Sequence, residues 1–150
     1  MGDFSGWQEL DWNGNVIWSY TEKRTGYAPH HDFKKIWNKK LNAYTFLYIA
    51  NKTVTQQQCL DAGCNPANTN LYKTAQMDAI VEVDLAGNVI WEWWFFDHAV
   101  QDFDATKTAT YGVVANTPGK IDLNLPGRPV KSDWLHCNSL DYNAELDQIV

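Results

Sequence analysis

A ten-residue segment occurs twice in the chain. Glu9-Leu10-Asp11-Trp12-Asn13-Gly14-Asn15-Val16-Ile17-Trp18 aligns without gaps on Glu82-Val83-Asp84-Leu85-Ala86-Gly87-Asn88-Val89-Ile90-Trp91, 73 residues further on. A repeat of this kind constrains the architecture more than any local propensity, because it makes the fold modular. Each copy passes from an alternating segment through a Gly-Asn turn into a β-branched and aromatic segment, the pattern of a β-hairpin. Strands are expected near 8–12 and 15–20, and again near 79–85 and 88–96.

A histidine cluster and a further apolar segment follow each hairpin. In the first copy His30-His31-Asp32 leads through Phe33 to Trp37 and then to Tyr44–Ala50, where Phe46, Tyr48 and Ala50 alternate with Thr45, Leu47 and Ile49. In the second, His136-Cys137-Asn138 leads through Leu140 and Tyr142 to Gln148-Ile149-Val150. The chain thus divides into repeats over 1–75 and 76–150. Two copies of about four strands each point to an all-β fold, a partial β-propeller of about two blades, rather than to a sandwich. Propellers use about four to eight blades, since a blade buries its faces only between neighbours. The chain also stops within an apolar strand, Asp147-Gln148-Ile149-Val150. The expectation is a piece of a longer protein, partnered by the remaining blades or by self-association.

Trp18 and His30 are 12 residues apart, whereas Trp91 and His136 are 45 apart, so the second repeat carries an insertion. It spans roughly 97–132, and its prolines (Pro118, Pro126, Pro129) and glycines (Gly112, Gly119, Gly127) read as a long ordered loop. Loops of that length usually carry function or cover something. A second excursion, Thr53 to Lys73, is rich in Asn, Gln and Thr and reads as decorative. Its loop-like part, Gln56 to Asn70, holds Cys59 and Cys64; with Cys137 they make an odd count without a CxxC motif, so zinc and thioredoxin chemistry have little support. Cys59 and Cys64 are either a disulfide stapling the excursion in an oxidising compartment or two free thiols.

Charge and hydropathy exclude other classes. Eighteen acidic residues against twelve Lys and Arg give a formal net charge of −6, the wrong sign for a nucleic-acid binder. No stretch approaches the roughly 18 to 20 apolar residues that cross a bilayer. Met1 to Trp12 lacks the succession of a secretory leader, so an exported protein would have lost its leader or carry it upstream. Eight Trp in 150 residues suit broad stacked sheets or a gripped ligand.

Three of the four histidines, His30, His31 and His136, occupy the same place in their repeats. In a propeller, equivalent positions face one central channel, so these imidazoles are expected to converge. If these segments are strands, residues i and i+2 share a face, which pairs His30 with Asp32 and His136 with Asn138. The fourth, His98, has no counterpart and reads as structural. The run Trp91, Trp93, Trp94, Phe95 and Phe96 is expected to alternate, with Trp91, Trp93 and Phe95 on one face and Trp94 and Phe96 on the other; it reads as packing between blades.

The repeated Asp-x-x-Gly-Asn-Val-Ile-Trp hairpin, His30-His31-Asp32, and the stretch Asp133-Trp134-Leu135-His136-Cys137-Asn138-Ser139-Leu140-Asp141-Tyr142 together resemble the bacterial arylsulfotransferases that work without a nucleotide sulfate donor. His136-Cys137-Asn138-Ser139 is similar to that family's His-x-Asn-Ser motif, followed by an Asp-x-Ile strand at Asp147-Gln148-Ile149. The resemblance implies a six-bladed propeller in the periplasm or outside the cell. It implies sulfuryl transfer from an aryl sulfate to a phenol by way of a transiently sulfated histidine, with no cofactor and no metal. It assigns His136 and Asn138 to the sulfate site, with His30 or His31 as a second lining histidine. The sulfated histidine itself would lie on a later blade, beyond Val150, and Arg128 matches the family's arginine by residue type alone. Two rival readings use the same hairpin: a quinoprotein dehydrogenase-like propeller with calcium and an ortho-quinone, and a non-catalytic propeller that binds glycans or protein. Neither needs histidines matched in register.

Overall fold

The computed structural model describes residues 6–67, 74–126 and 133–150. Their order is β1 (Gly6–Leu10), β2 (Val16–Thr21), β3 (Tyr27–Asn38), β4 (Ala43–Thr55), α1 (Gln56–Asp61), β5 (Thr74–Asp84), β6 (Val89–Trp94), β7 (Ala99–Val100), β8 (Ile121–Asp122), β9 (Asp133–Leu135), β10 (Tyr142–Asn143) and β11 (Gln148–Ile149). The protein is therefore mostly β. It forms two compact units: Met1–Asn51 with Ala79–Trp93 and Cys137–Val150, and Lys52–Asp78 with Trp94–His136.

In the first unit the sequence repeat is also a structural one. β1 and β2 pair antiparallel, with Glu9 opposite Trp18. The loop between them is built on Asp11. Its Oδ1 accepts from the backbone N–H groups of Asn13 (2.8 Å) and Asn15 (2.9 Å), and Oδ2 accepts from the Asn15 amide at 2.8 Å. The second copy repeats this atom for atom: Asp84 accepts from Ala86 N–H (2.9 Å), Asn88 N–H (2.8 Å) and the Asn88 amide (2.9 Å). Gly14 and Gly87 stand at φ 83° and 86°, where a side chain would be strained. The turn is thus organised by an aspartate, which leads a five-residue loop in the first copy and ends β5 before a four-residue one in the second, where the sequence pattern suggested a bare Gly-Asn turn. Hydrogen bonds from the asparagine side chains, followed by those from the backbone, hold both aspartate pKa values below the usual carboxylate range.

Strands β3, β4, β5 and β6 hydrogen-bond in that order. Four-residue connections join β3 to β4 and β5 to β6, too short for a parallel crossover, so each of these pairs is antiparallel. From Thr45 to Ala50, β4 is buried on both faces. Its alternation assigns each face a different neighbour. Phe46 stacks on Trp18 of β2 with ring centroids 3.7 Å apart, and Tyr48 meets Tyr20 at 5.4 Å. Leu47 and Ile49 point the other way, into an aliphatic cluster with Ile36 and Leu140. The Trp18 indole also donates to the Leu85 carbonyl at 3.1 Å, tying the first hairpin to the loop of the second.

Beyond Tyr48 lies a buried ion network. The Glu22 side chain, 1% exposed, pairs with Arg24 at 2.7 Å and accepts from the Tyr48 hydroxyl at 2.7 Å; Arg24 also reaches Glu92 at 2.7 Å. Burial alone would push the Glu22 carboxyl up, but hydrogen bonds from Arg24 and Tyr48 outweigh it and hold the pKa at about 2.

In the second unit, a helix stands where the composition suggested loop. Thr55 accepts from Gln58 N–H at 3.1 Å while the Gln58 side chain accepts from Thr55 N–H at 2.8 Å, a reciprocal capping box that starts α1. Buried Cys59 and Cys64 are joined as a disulfide. Among the described residues, the long loop after β6 contains only short regular pieces and is organised by polar side chains. Buried Gln101 accepts from Phe103 and Asp104 N–H groups, Thr110 donates to the Ala62 carbonyl, and Asn124 donates to the Gly63 carbonyl. β9 pairs in parallel with β5 at Gln76 and Met77.

Because the Glu22 pKa of about 2 in the folded chain lies below its ordinary value of 4.5, the stability this group confers is complete above that ordinary value and is lost as pH falls toward about 2. Glu22→Gln should destabilise the protein by about 2 kcal/mol at neutral pH, the scale of losing hydrogen bonds to a charged group. Urea unfolding from pH 5 down to 2 should fall more steeply for the native chain than for the variant; parallel curves would contradict the assignment.

Candidate functional site

His30 and His31 lie inside β3, in the first unit. Regular alternation does not continue through them, because His31 takes a positive φ of 56°. The backbone turns there, and the two rings meet edge to face at 5.1 Å rather than pointing to opposite sides. The expected sharing of one face by His30 and Asp32 therefore fails at this left-handed residue. The Asn51 side-chain amide and His30 Nε2 are hydrogen-bonded at 3.0 Å, which fixes the orientation of the ring. Asn51 ends the buried run of β4, so the scaffold that forms the core also orients this imidazole.

Asp32 plays a different part from that suggested by its spacing. Its Oδ2 accepts from the Leu140 N–H at 3.1 Å. Leu140 is buried in the cluster with Ile36, Leu47 and Ile49, and Cys137 packs against the same cluster. These contacts bring the segment Cys137–Leu140, with Asn138 in it, alongside β3. Asn138 is exposed and lies outside any strand.

His136 closes the second unit and is joined through one peptide bond to Cys137 in the first. β9 ends at Leu135, so neither His136 nor Asn138 belongs to a strand and the i, i+2 argument has no strand to act on. The imidazole is positioned instead by Asp133, whose Oδ1 lies 2.9 Å from Nδ1. With Nδ1–H donating to the carboxylate, Nε2 carries the lone pair when the ring is neutral and a proton when it is charged. The first form accepts a proton or attacks an electrophile; the second holds an anionic oxygen.

Sequence reasoning missed both orienting residues. Asp133 was within the quoted motif, but a residue three places before a histidine has no periodic signature outside a helix. Asn51 left a faint one, a polar residue directly after the apolar run Phe46–Ala50 within β4. The aromatic run also departs from expectation, because β6 ends at Trp94 and Phe95–His98 form a 3-10 turn. Strict alternation therefore stops before Phe95 and Phe96. His98 is half-buried in that turn, in the second unit. Arg128 lies outside the described residues, as do Gly127 and Pro129.

The chain is a β-structured protein with a repeated hairpin and imidazoles held by Asn51 and Asp133. The family comparison makes this specific. The arylsulfotransferase (ASST) family model matches residues 2–150, and the chain belongs to that family. No curated protein and no solved structure matches it. Among the described residues, no helix is long and apolar enough to cross a membrane.

If Asp133 sets the His136 ring, nitrogen NMR of the neutral imidazole should report the proton on Nδ1. Asp133→Leu should then shift the ring toward the Nε2–H form. An unchanged tautomer would show that Asp133 does not orient it.

Proposed function

We propose that the protein transfers a sulfuryl group from an aryl sulfate to a phenol by way of a transiently sulfated histidine. A single observation carries this reading: the arylsulfotransferase family match covers essentially the whole chain. In the proposed reaction an imidazole nitrogen attacks sulfur, the S–O bond to the aryl group breaks, and the phenolate leaves and takes up a proton. The acceptor phenol then gives up its proton as its oxygen attacks the same sulfur, and the S–N bond breaks. Imidazole suits both halves, being a competent nucleophile near neutral pH and a good leaving group.

His30, His31, His136 and Asn138 are proposed to line one site and to hold the sulfuryl oxygens while charge moves between them. Several features favour that arrangement. The two β3 rings sit 5.1 Å apart, Asp32 beside them is bonded to the segment carrying Asn138, and His136 immediately precedes that segment. An amide and protonated imidazoles are the donors such a transition state needs. The two sequence repeats, 1–75 and 76–150, are proposed as two propeller blades, which would turn equivalent positions toward a common axis. An exported location fits the Cys59–Cys64 bond, because disulfides persist in oxidising compartments.

The experiment is to incubate the full-length protein with a chromogenic aryl sulfate and follow phenol-dependent release of the chromophore. His136→Ala should lower the rate by about 10² to 10³, the cost of removing one donor from a developing anion. A rate within about twofold of the native one, with the fold intact by circular dichroism, would overturn the site assignment.

A further inference from the structure

The first unit contains an open cavity of about 390 Å³ lined by Ile36, Leu47, Ile90, Trp91, Tyr142 and Glu82 among others. Its walls mix apolar and polar side chains, and Glu82, with 8% of its surface exposed, contributes a largely buried carboxylate. The Glu82 donors both address one oxygen: Asn38 at 2.8 Å and the Thr45 hydroxyl at 2.6 Å bond to Oε1. Among the described residues, Oε2 has no hydrogen-bond partner and the carboxylate has no ion pair.

The other repeat indicates what this position is suited to bind. Glu9 is the counterpart of Glu82, and Trp18, directly across the hairpin from Glu9, is the counterpart of Trp91. Both oxygens of Glu9 take the Lys35 ammonium at 2.8 Å, and the Trp18 ring is covered by Phe46 at 3.7 Å. That Lys35 ammonium lies 5.6 Å over the Phe46 ring. In the first repeat, then, this register is filled by an aromatic ring with a primary ammonium beside it. In the second repeat the same carboxylate and indole face a cavity, and Trp91 is 41% exposed.

We propose that this cavity binds a small arylalkyl primary ammonium compound, with the ammonium on Glu82 and the ring against Trp91. Lys39 and Lys40 also line the cavity but are exposed, so solvent screens them, and the Lys39 ammonium is held by the Ala144 carbonyl at 2.6 Å. The apolar part of the wall supplies affinity and the Glu82 carboxylate supplies charge selection. The proposal is independent of sulfuryl transfer.

The test is a titration of the full chain with 2-phenylethylammonium, followed by NMR at the Trp91 indole and Tyr142 ring. Parallel titrations use neutral 2-phenylethanol and anionic 3-phenylpropanoate. The ammonium is expected to bind with a dissociation constant below about 1 mM. The alcohol should bind at least about tenfold more weakly, and the carboxylate should not bind. Glu82→Gln, which keeps an acceptor for Asn38 and Thr45, should abolish the preference for ammonium over alcohol. Trp91→Ala, a substitution at a partly exposed position, should weaken all binding without unfolding the chain. Equal binding of alcohol and ammonium, stronger binding of the carboxylate, an unchanged preference in Glu82→Gln, or no shifts at Trp91 and Tyr142 would each overturn the proposal.

Discussion

The structure depends on a strand that has to be covered twice. From Thr45 to Ala50, β4 leaves no appreciable surface to solvent on either face. One face requires rings, and β2 supplies Trp18 and Tyr20; the other requires aliphatic side chains, and β3 supplies Ile36 while the distant segment at Leu140 completes the layer. The parts of the first unit that bear on function follow from this double cover. β3 is held where its histidines emerge, the segment after His136 is drawn in by Leu140 and Cys137, and Asn51 reaches His30 from the end of the buried run. The exposed aromatics, Trp12, Trp37, Tyr44 and Trp91, mark the surface beyond that cover.

Much of this was legible from residues alone. The duplicated hairpin identified both loops, β6, nearly all of β2 and the last three residues of β1, because a Gly at positive φ and an Asn that bonds back are chemical requirements as well as statistical preferences. The alternation of Phe46 and Tyr48 against Leu47 and Ile49 foretold two faces. Tertiary contacts decided the rest. Nothing local announces that His31 leaves the strand conformation, or that Asp32 will be used by the backbone at Leu140 rather than by its neighbour two places back. The helix at Gln56 was hidden by its composition, although Thr55 and Gln58 carry the spacing of a capping box. In the long loop, Gln101 and Asn124 each organise the chain through several hydrogen bonds, which have no periodic trace.

The candidate site shows the same division. Residue types and their recurrence selected the histidines, whereas their chemistry is set by the partners that position them. Asn51 holds the His30 ring through Nε2, and Asp133 holds the His136 ring through Nδ1. Membership of the arylsulfotransferase family gives these oriented rings a substrate class to be judged against. Repetition also has a second consequence: two copies of one module need not be filled alike. Glu9 and Trp18 are satisfied by side chains of the protein, while Glu82 and Trp91 face an open cavity.

The central claim is that imidazoles from two repeats serve one anion. It is tested most directly by labelling the histidine rings with carbon-13 and titrating the chain with an aryl sulfonate, a stable likeness of the aryl sulfate. The account predicts that the signals of His30, His31 and His136 move together along one saturation curve while that of His98 stays still. Independent curves for the three rings, or movement of His98 alone, would contradict it.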